Sequence, residues 1–360
     1  MYAEDCPSIG RRNWSGDEDG GLATMTTDPR TDPHAAGERV PPDPVPSAEV
    51  AGDPAADAPA KRVDAPRAKP SSPAALLRQL GLKPRRGLSQ SFLTDVGVTK
   101  RIAAAADLSK KDAVLEVGPG LGILTQELAR VAGRVVAFEL DRDLAAVLPR
   151  MVPQNVQIVQ GDALTLNPAD YVPGRYKLVA NLPYQITSPF LFRYLSLSPA
   201  PEVLVLMIQR EVAERIAAPP GQLSYLAVAV QSAARPRIVR LVPPGAFHPR
   251  PKVESAVIKL EPLAEPLVPP ADRQAFLEVV RAGFGQPRKQ LLNSMHQGLK
   301  QANLSGHDWS RTDVQMILAR AGIDLERRPQ ALTLTEWRAV FQAHRSLEPD
   351  VQGRLGESGV

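Results

Sequence analysis

The sequence predicts an α/β protein: a doubly wound, mostly parallel sheet followed by a small helical domain. Three observations predict it. From Pro73 to about Leu260, short apolar runs of strand character alternate with stretches of helical period. The first of those strands ends in a glycine-rich turn, Gly118-Pro119-Gly120-Leu121-Gly122. The break from Pro262 to Pro270 holds four prolines and no charge but Glu265, and the chain beyond it carries apolar residues at three- and four-residue spacing.

The elements follow in order. A helical stretch over Ala74 to Leu80 and a second over Val96 to Ala106 flank the run Gln90-Ser91-Phe92-Leu93. Ala113 to Val117 is a short buried strand, because five residues rich in valine and leucine, closed by glycine, are too few for a helix. A helix from Ile123 to Val131, a strand from Arg134 to Glu139 and a helix from Leu144 to Met151 come next. A third strand, Val156 to Gln160, reaches Gly161-Asp162-Ala163, and the apolar run Tyr176 to Ala180 delivers Asn181. Beyond it the pattern predicts a helix over Ser188 to Leu197, a strand over Val203 to Ile208, and helices over Arg210 to Ile216 and Gln222 to Ala233. Ile238 to Val242 and Val253 to Leu260 read as an antiparallel closing pair. After the proline-rich break, the helical candidates are Ala271 to Ala282, Arg288 to Lys300, Arg311 to Ala321 and Thr335 to His344.

The first 75 or so residues belong to none of this. They hold twelve of the 36 prolines, with no aromatic residue between Trp14 and Phe92 and no leucine between Leu22 and Leu76. Such a stretch cannot bury enough surface to offset its ordering entropy. The expected organisation is a disordered tail over 1–75, a sheet domain over 76–262, a helical domain over 263–347 and a frayed C-terminus over 348–360.

Composition narrows the partners. The tail carries 13 acidic and 8 basic side chains, which leaves the remainder with a net charge near +9. A surplus of that sign favours a polyanion, although a solubilising surface gives the same balance. The single cysteine, Cys6, excludes a disulfide within the chain and a thiolate metal cluster. No apolar run reaches the length of a membrane span, and the N-terminus lacks the order of a signal peptide. A cytoplasmic monomer without metal is expected.

Two sets of residues carry chemistry. Glycines at 118, 120 and 122 let the backbone turn tightly after a strand and expose helix N-terminal amides to a ligand. Their G-x-G-x-G spacing differs from the dinucleotide G-x-G-x-x-G, and a plain glycine-rich turn is the alternative. Glu139 ends the second strand 21 positions after Gly118, where a nucleoside-binding α/β fold places a carboxylate for the ribose hydroxyls. Asp162 has two readings, an acceptor for the amine of a bound nucleoside and a helix-capping carboxylate.

The second set is Asn181-Leu182-Pro183-Tyr184. An amide, a proline that fixes the backbone and an aromatic ring at a strand end together suit a planar amine held for attack. A hydride-transfer enzyme has no use for that tetrapeptide; a methyltransferase acting on an amine does. Phe247 lies between Gly245 and Pro249, in what reads as an irregular loop, and offers either a second stacking face or a core aromatic. His248, a lone loop histidine, is assigned no role.

The motifs in this order resemble the ribosomal RNA adenine dimethyltransferases of the KsgA/RsmA type. The resemblance spans about residues 76–345 and rests on Gln90 to Leu93, Glu116 to Gly122, Glu139 with Asp141, Gly161 to Ala163, Asn181 to Tyr184, Phe247 to Ser255 and Arg288-Lys289-Gln290. It implies a Rossmann-like S-adenosylmethionine-dependent methyltransferase sheet. As acceptors it implies two adjacent adenosines in the 3′-terminal hairpin of small-subunit ribosomal RNA, free or in an assembling subunit. By motif, Ser91 and Leu93 would border the cofactor, Gly118 its methionine part, Glu139 its ribose and Asp162 its adenine. Asn181 would touch cofactor and target, with Leu182, Pro183, Tyr184 and Phe247 completing the acceptor side. Lys252, Arg235, Arg237, Arg240, Arg288 and Lys289 are candidates for RNA phosphate.

The chain departs from the family at Ser91, where Q-N-F-L carries asparagine. An erythromycin-resistance-type methyltransferase of large-subunit RNA shares the cofactor and the stacking residues, but the leucine of N-L-P-Y and the run P-x-P-K-V-x-S favour the first reading. A non-catalytic RNA-binding assembly factor is the third, and the completeness of the site argues against it.

Overall fold

Strand segments that are apolar at nearly every position become the inner strands of one sheet covered on both faces, the arrangement such runs require. The computed structural model describes residues 73–82, 91–302 and 308–347. The expected tail up to residue 72, Gln90 of the first motif and the stretch 348–360 lie outside the described residues.

The sheet has seven strands. β2 (Ala113–Val117), β3 (Arg134–Glu139), β4 (Val156–Gln160), β5 (Lys177–Asn181), β6 (Leu204–Gln209), β7 (Ala234–Val242) and β9 (Ser255–Pro262) stand in the order β4-β3-β2-β5-β6-β9-β7. All neighbouring pairs are parallel except those of β9, which runs against both β6 and β7. A separate two-residue ladder joins β1 (Phe92–Leu93) to β8 (Phe247–His248).

Alternation along the strands sorts side chains to the two faces. Val114, Val135, Val179, Val205 and Val257 pack under α2 (Val96–Ala105) and α3 (Ile123–Val131). Leu115, Val136, Leu178, Leu204 and Ile258 face a larger core built with α5 (Thr187–Tyr194), α6 (Arg210–Ile216) and α7 (Tyr225–Gln231). Short α1 (Pro73–Gln79) and α4 (Arg142–Val147) close a small cluster in which Leu77 and Leu144 meet Phe92 and Leu121. α2 and α4 start at Asp95 and Asp141, whose carboxylates accept from backbone amides of the first turn.

The proline-rich break leads into α8 (Arg273–Gly283), α9 (Leu291–Ala302), α10 (Arg311–Arg320) and α11 (Leu334–Leu347), packed on Trp309 and Trp337, both fully buried. This second core also takes Leu223, Ala227, Val228 and Ala229 from around α7. Because Leu226 and Val230 of α7 face the sheet, that helix is apolar all round and is buried on both sides. The buried Arg273 guanidinium reaches across the same junction, donating to Ser196 Oγ, Ser232 Oγ and the Ala229 carbonyl.

α8 and α9 touch backbone to backbone. A methyl at Gly298 would sit 2.3 Å from the Ala282 carbonyl oxygen and 2.5 Å from Ala282 Cα. Gly298→Ala must therefore push two helices apart, with an expected loss of about 1–3 kcal/mol. Thermal melts should show a midpoint lower by several degrees, and an unchanged midpoint would refute this packing.

Candidate active site

The strand order reverses between β2 and β5, the place where open α/β sheets hold ligands beyond their strand ends. Val117 pairs with Ala180, so the residues that follow, Gly118 and Asn181, are neighbours at that crevice. A Cβ at Gly118 would lie 3.6 Å from the Asn181 carbonyl oxygen. Gly118 and Asn181, 63 positions apart in the chain, thus meet through the pairing of two strands.

A cavity of about 380 Å³ opens there. Ser91, Leu93, Gly118, Glu139, Asp162, Asn181, Leu182, Pro183, Tyr184 and Phe247 all line it. Lys252, Arg235, Arg237, Arg240, Arg288 and Lys289 lie outside it on the surface.

On the cofactor side, Gly118 and Gly120 have φ of +72° and +58°, which L side chains rarely adopt, so the loop needs glycine there. The buried Glu139 carboxylate spans the strand end and this loop, accepting from Asp141 N at 2.8 Å on one oxygen and from Gly120 N at 3.2 Å on the other. Burial raises its pKa, against the lowering pull of those amides. A carboxylate has about four lone-pair sites, so these amides leave it capacity to accept from a diol. Asp162 Oδ1 accepts from Leu164 N at 2.8 Å, which is the capping reading, and among the described residues its second oxygen has no such backbone contact. This donor and acceptor set fits a nucleoside.

On the acceptor side, Asn181 ends β5 and its Nδ2 donates to the Ser91 carbonyl over a long 3.4 Å. A carbonyl only accepts, so this contact fixes which end of the amide faces Ser91 and leaves Oδ1 out of it. Leu182 N donates to the Met207 carbonyl on β6, and Tyr184–Ile186 form a single 3-10 turn after Pro183. The Tyr184 hydroxyl lies 2.8 Å from Ser255 Oγ, which is fully buried at the start of β9.

Phe247 corrects the sequence reading. It is in a strand, opposite Leu93, and not in an irregular loop. Thr94 reinforces the pair, its N and Oγ1 both donating to the Ala246 carbonyl, and Ser91 Oγ donates to the Pro249 carbonyl at 2.7 Å. A two-residue ladder between segments about 150 residues apart has no local period to betray it. Phe247 is 6% exposed, packs in the core beneath the sheet and also lines the cavity. His248 is exposed.

Three residues at or beneath the site have no role in the sequence reading. Ser255 stands inside the Phe247 to Ser255 run, and a hydroxyl at the head of an apolar strand is the available signal. Leu140, 50% exposed and on the cavity lining, offers an apolar rim beside Glu139. Glu116 is wholly buried beneath the glycine loop, and among the described residues neither of its carboxyl oxygens finds a hydrogen-bond partner. Among the described residues no group of acidic, histidine or cysteine side chains is arranged to hold a metal, and no helix is long and apolar enough to cross a membrane.

A sheet of this order, a glycine turn at its switch point and a nucleoside-type carboxylate pair define a Rossmann-like S-adenosylmethionine-dependent methyltransferase. The chain belongs to the ribosomal RNA adenine dimethylase family, whose model matches residues 81–338. It is 41% identical over 261 residues to ribosomal RNA small subunit methyltransferase A of Dehalococcoides mccartyi strain 195, covering 71% of this chain and 87% of that protein. The protein of the same name from Moorella thermoacetica is 41% identical over 287 residues, covering 76% and 96%. Among solved structures, a dimethyladenosine transferase from Plasmodium falciparum superposes with a TM-score of 0.58 at 25% identity, covering 71% of this chain and 98% of that one. The 23S rRNA methyltransferase ErmE gives 0.55 at 29% identity, covering 71% and 99%.

Proposed function

We propose that this chain transfers methyl groups from S-adenosylmethionine to the exocyclic amines of two adjacent adenosines in the 3′-terminal hairpin of small-subunit ribosomal RNA, as a cytoplasmic monomer acting during subunit assembly. The observation that carries this reading is the meeting of Asn181 with Gly118 at one crevice, an acceptor clamp against a cofactor loop. Identity of 41% to small-subunit enzymes over most of the chain, against 29% to ErmE, favours small-subunit over large-subunit RNA.

When bound, the cofactor supplies a methyl group on an already activated sulfonium. Glu139 would hold its ribose, Asp162 its adenine and the Gly118 loop its methionine part, with Ser91 and Leu93 along the border. The adenine amine is a poor nucleophile while its lone pair is delocalised into the ring. Asn181 Oδ1 and the Leu182 carbonyl would accept its two hydrogens and turn the lone pair toward the methyl, with Pro183 stiffening the loop. Positioning of this kind recovers on the order of 7–11 kcal/mol, so no strong general base is required. Tyr184 and Phe247 would stack on the flipped base, at about 1–3 kcal/mol for each such contact. Residues 76–262 form the catalytic part in this reading, and 263–347, with Arg288 and Lys289, a helical RNA-binding part; Lys252 contacts phosphate beside the acceptor.

The test supplies labelled cofactor with unmethylated small subunits in one arm and large-subunit RNA in the other, then maps dimethyladenosine. Transfer to the 3′-terminal hairpin is expected. Transfer only to large-subunit RNA would overturn the substrate, and tight RNA binding without transfer to either would overturn the enzyme reading.

The Tyr184–Ser255 contact gives a second expectation. Tyr184→Phe and Ser255→Ala should each lower transfer a few-fold by loosening the ring, since one such hydrogen bond is worth about 1 kcal/mol. The double variant should be no worse than either alone, and additive losses would show that the pair does not act as one unit.

A further inference from the structure

β7 is the outermost strand of the sheet, and Arg235, Arg237 and Arg240 lie along it at the surface. In a regular strand Arg237 and Arg240, three residues apart, would point to opposite faces. Pairing with β9 removes that conflict. Arg235 stands opposite Glu261 and Arg237 opposite Lys259, the register then slips at Val239, and Arg240 stands opposite Val257. Residues 257, 259 and 261 alternate along β9, so they share one face. The slip is a β-bulge, and it turns Arg240 to the side of the other two.

The three arginines therefore stand in a row on one face, opposite residues of β9 that are about 7 Å apart, two strand residues each. Their cross-strand acid, Glu261, is already 3.1 Å from Lys259, and among the described residues none of the three arginines is in an ion pair. Nor is the row remote from the site. β7 ends at Val242, which pairs with Ser255, the residue that meets the Tyr184 hydroxyl, and Phe247 follows shortly after. Edge strands carry charge and proline to deter pairing with other chains, and Pro236, between the first two arginines, fits that use. Deterrence works with charges on both faces, however, and does not need a bulge that gathers them on one.

We infer that Arg235, Arg237 and Arg240 form a track for successive phosphates of the RNA strand leading to the acceptor pocket. This rests on the RNA-substrate reading above. The experiment measures affinity of the full chain for a small-subunit RNA fragment carrying the 3′-terminal hairpin, from about 50 to 200 mM salt. Two variants are compared with the parent: Arg235→Gln/Arg237→Gln/Arg240→Gln, and Arg240→Gln/Leu241→Arg, which moves one charge to the opposite face at constant net charge. Each lost phosphate contact should lower the slope of log affinity against log salt by about 0.7–0.9, so the triple variant should lose about 2.1–2.7. The second variant should lose the share of one contact. Cofactor affinity and melting temperature should hold in both. An unchanged slope in the triple variant, or a parental slope in the charge-moved one, overturns the track. Methyl transfer by the parent is scored separately: no transfer with a reduced slope in the variants would sink the substrate reading and leave the track standing.

Discussion

Asn181→Ala should lower methyl transfer at saturating cofactor and RNA by about 10²–10³-fold, the loss typical when one pre-placed hydrogen-bonding group is removed from a reacting centre. β5 delivers Asn181 at its last residue, beside Gly118 just past the end of the neighbouring strand. The Ser91 carbonyl takes the amide nitrogen at 3.4 Å, which keeps the amide oxygen out of that contact, and the residue lines the cavity. Alanine removes that oxygen and leaves the cavity's aromatic walls in place, so RNA affinity should change little and the turnover rate should carry the loss. Asn181→Asp should fail as severely, because a carboxylate would then face the Ser91 carbonyl, acceptor against acceptor. Single-turnover rates and equilibrium binding separate the two contributions; a rate within about tenfold of the parent would remove Asn181 from the acceptor clamp.

How far this site is legible in the sequence depends on how each residue reaches it. Glu139, Asp162 and Asn181 lie at or just past strand ends, and a strand end can be read from where an apolar run stops. The alternating runs likewise locate the parallel sheet and its helices to within a few residues, as with Arg210–Ile216 and α10. Contacts between distant segments leave no such trace. The β1–β8 ladder, the Ser255 hydroxyl under Tyr184 and the Ser91 bond to Pro249 each join positions roughly 70 to 160 residues apart, with no periodic pattern at either end. Ser91 shows the cost of reading by motif alone. Its hydroxyl, placed at the cofactor border by resemblance, belongs to a residue that lines the cavity and also ties β1 to the loop that follows Phe247. The strand over Ala234–Val242 is longer than the expected Ile238 to Val242, because arginines on an edge strand mask its apolar pattern.

Glu116 enters the sequence pattern only as the first residue of the glycine motif, and it carries the largest expected dependence of stability on pH. Its carboxyl is wholly buried and its pKa is pushed up to about 8, chiefly by burial and further by the neighbouring Glu139 carboxylate. The buried Thr125 hydroxyl lies near enough to lower that value somewhat without completing a hydrogen bond. A neutral Glu116 also spares Glu139 a second negative charge beneath the loop that it holds through Gly120 N. Because the folded state binds this proton more firmly than the unfolded chain, the contribution is fully present below the ordinary value of 4.5 and is lost as pH rises toward and through 8. Across that window each pH unit costs about 1.4 kcal/mol. Glu116→Gln keeps the shape and cannot ionise, so its melting temperature should fall less than the parent's between about pH 6 and 9. The amide leaves donors unpaired at a cost of about 1–3 kcal/mol, which places the variant below the parent near pH 4.5 and makes the two curves cross between about pH 5 and 7. Parallel curves over the whole range would mean that Glu116 does not take up its charge on unfolding.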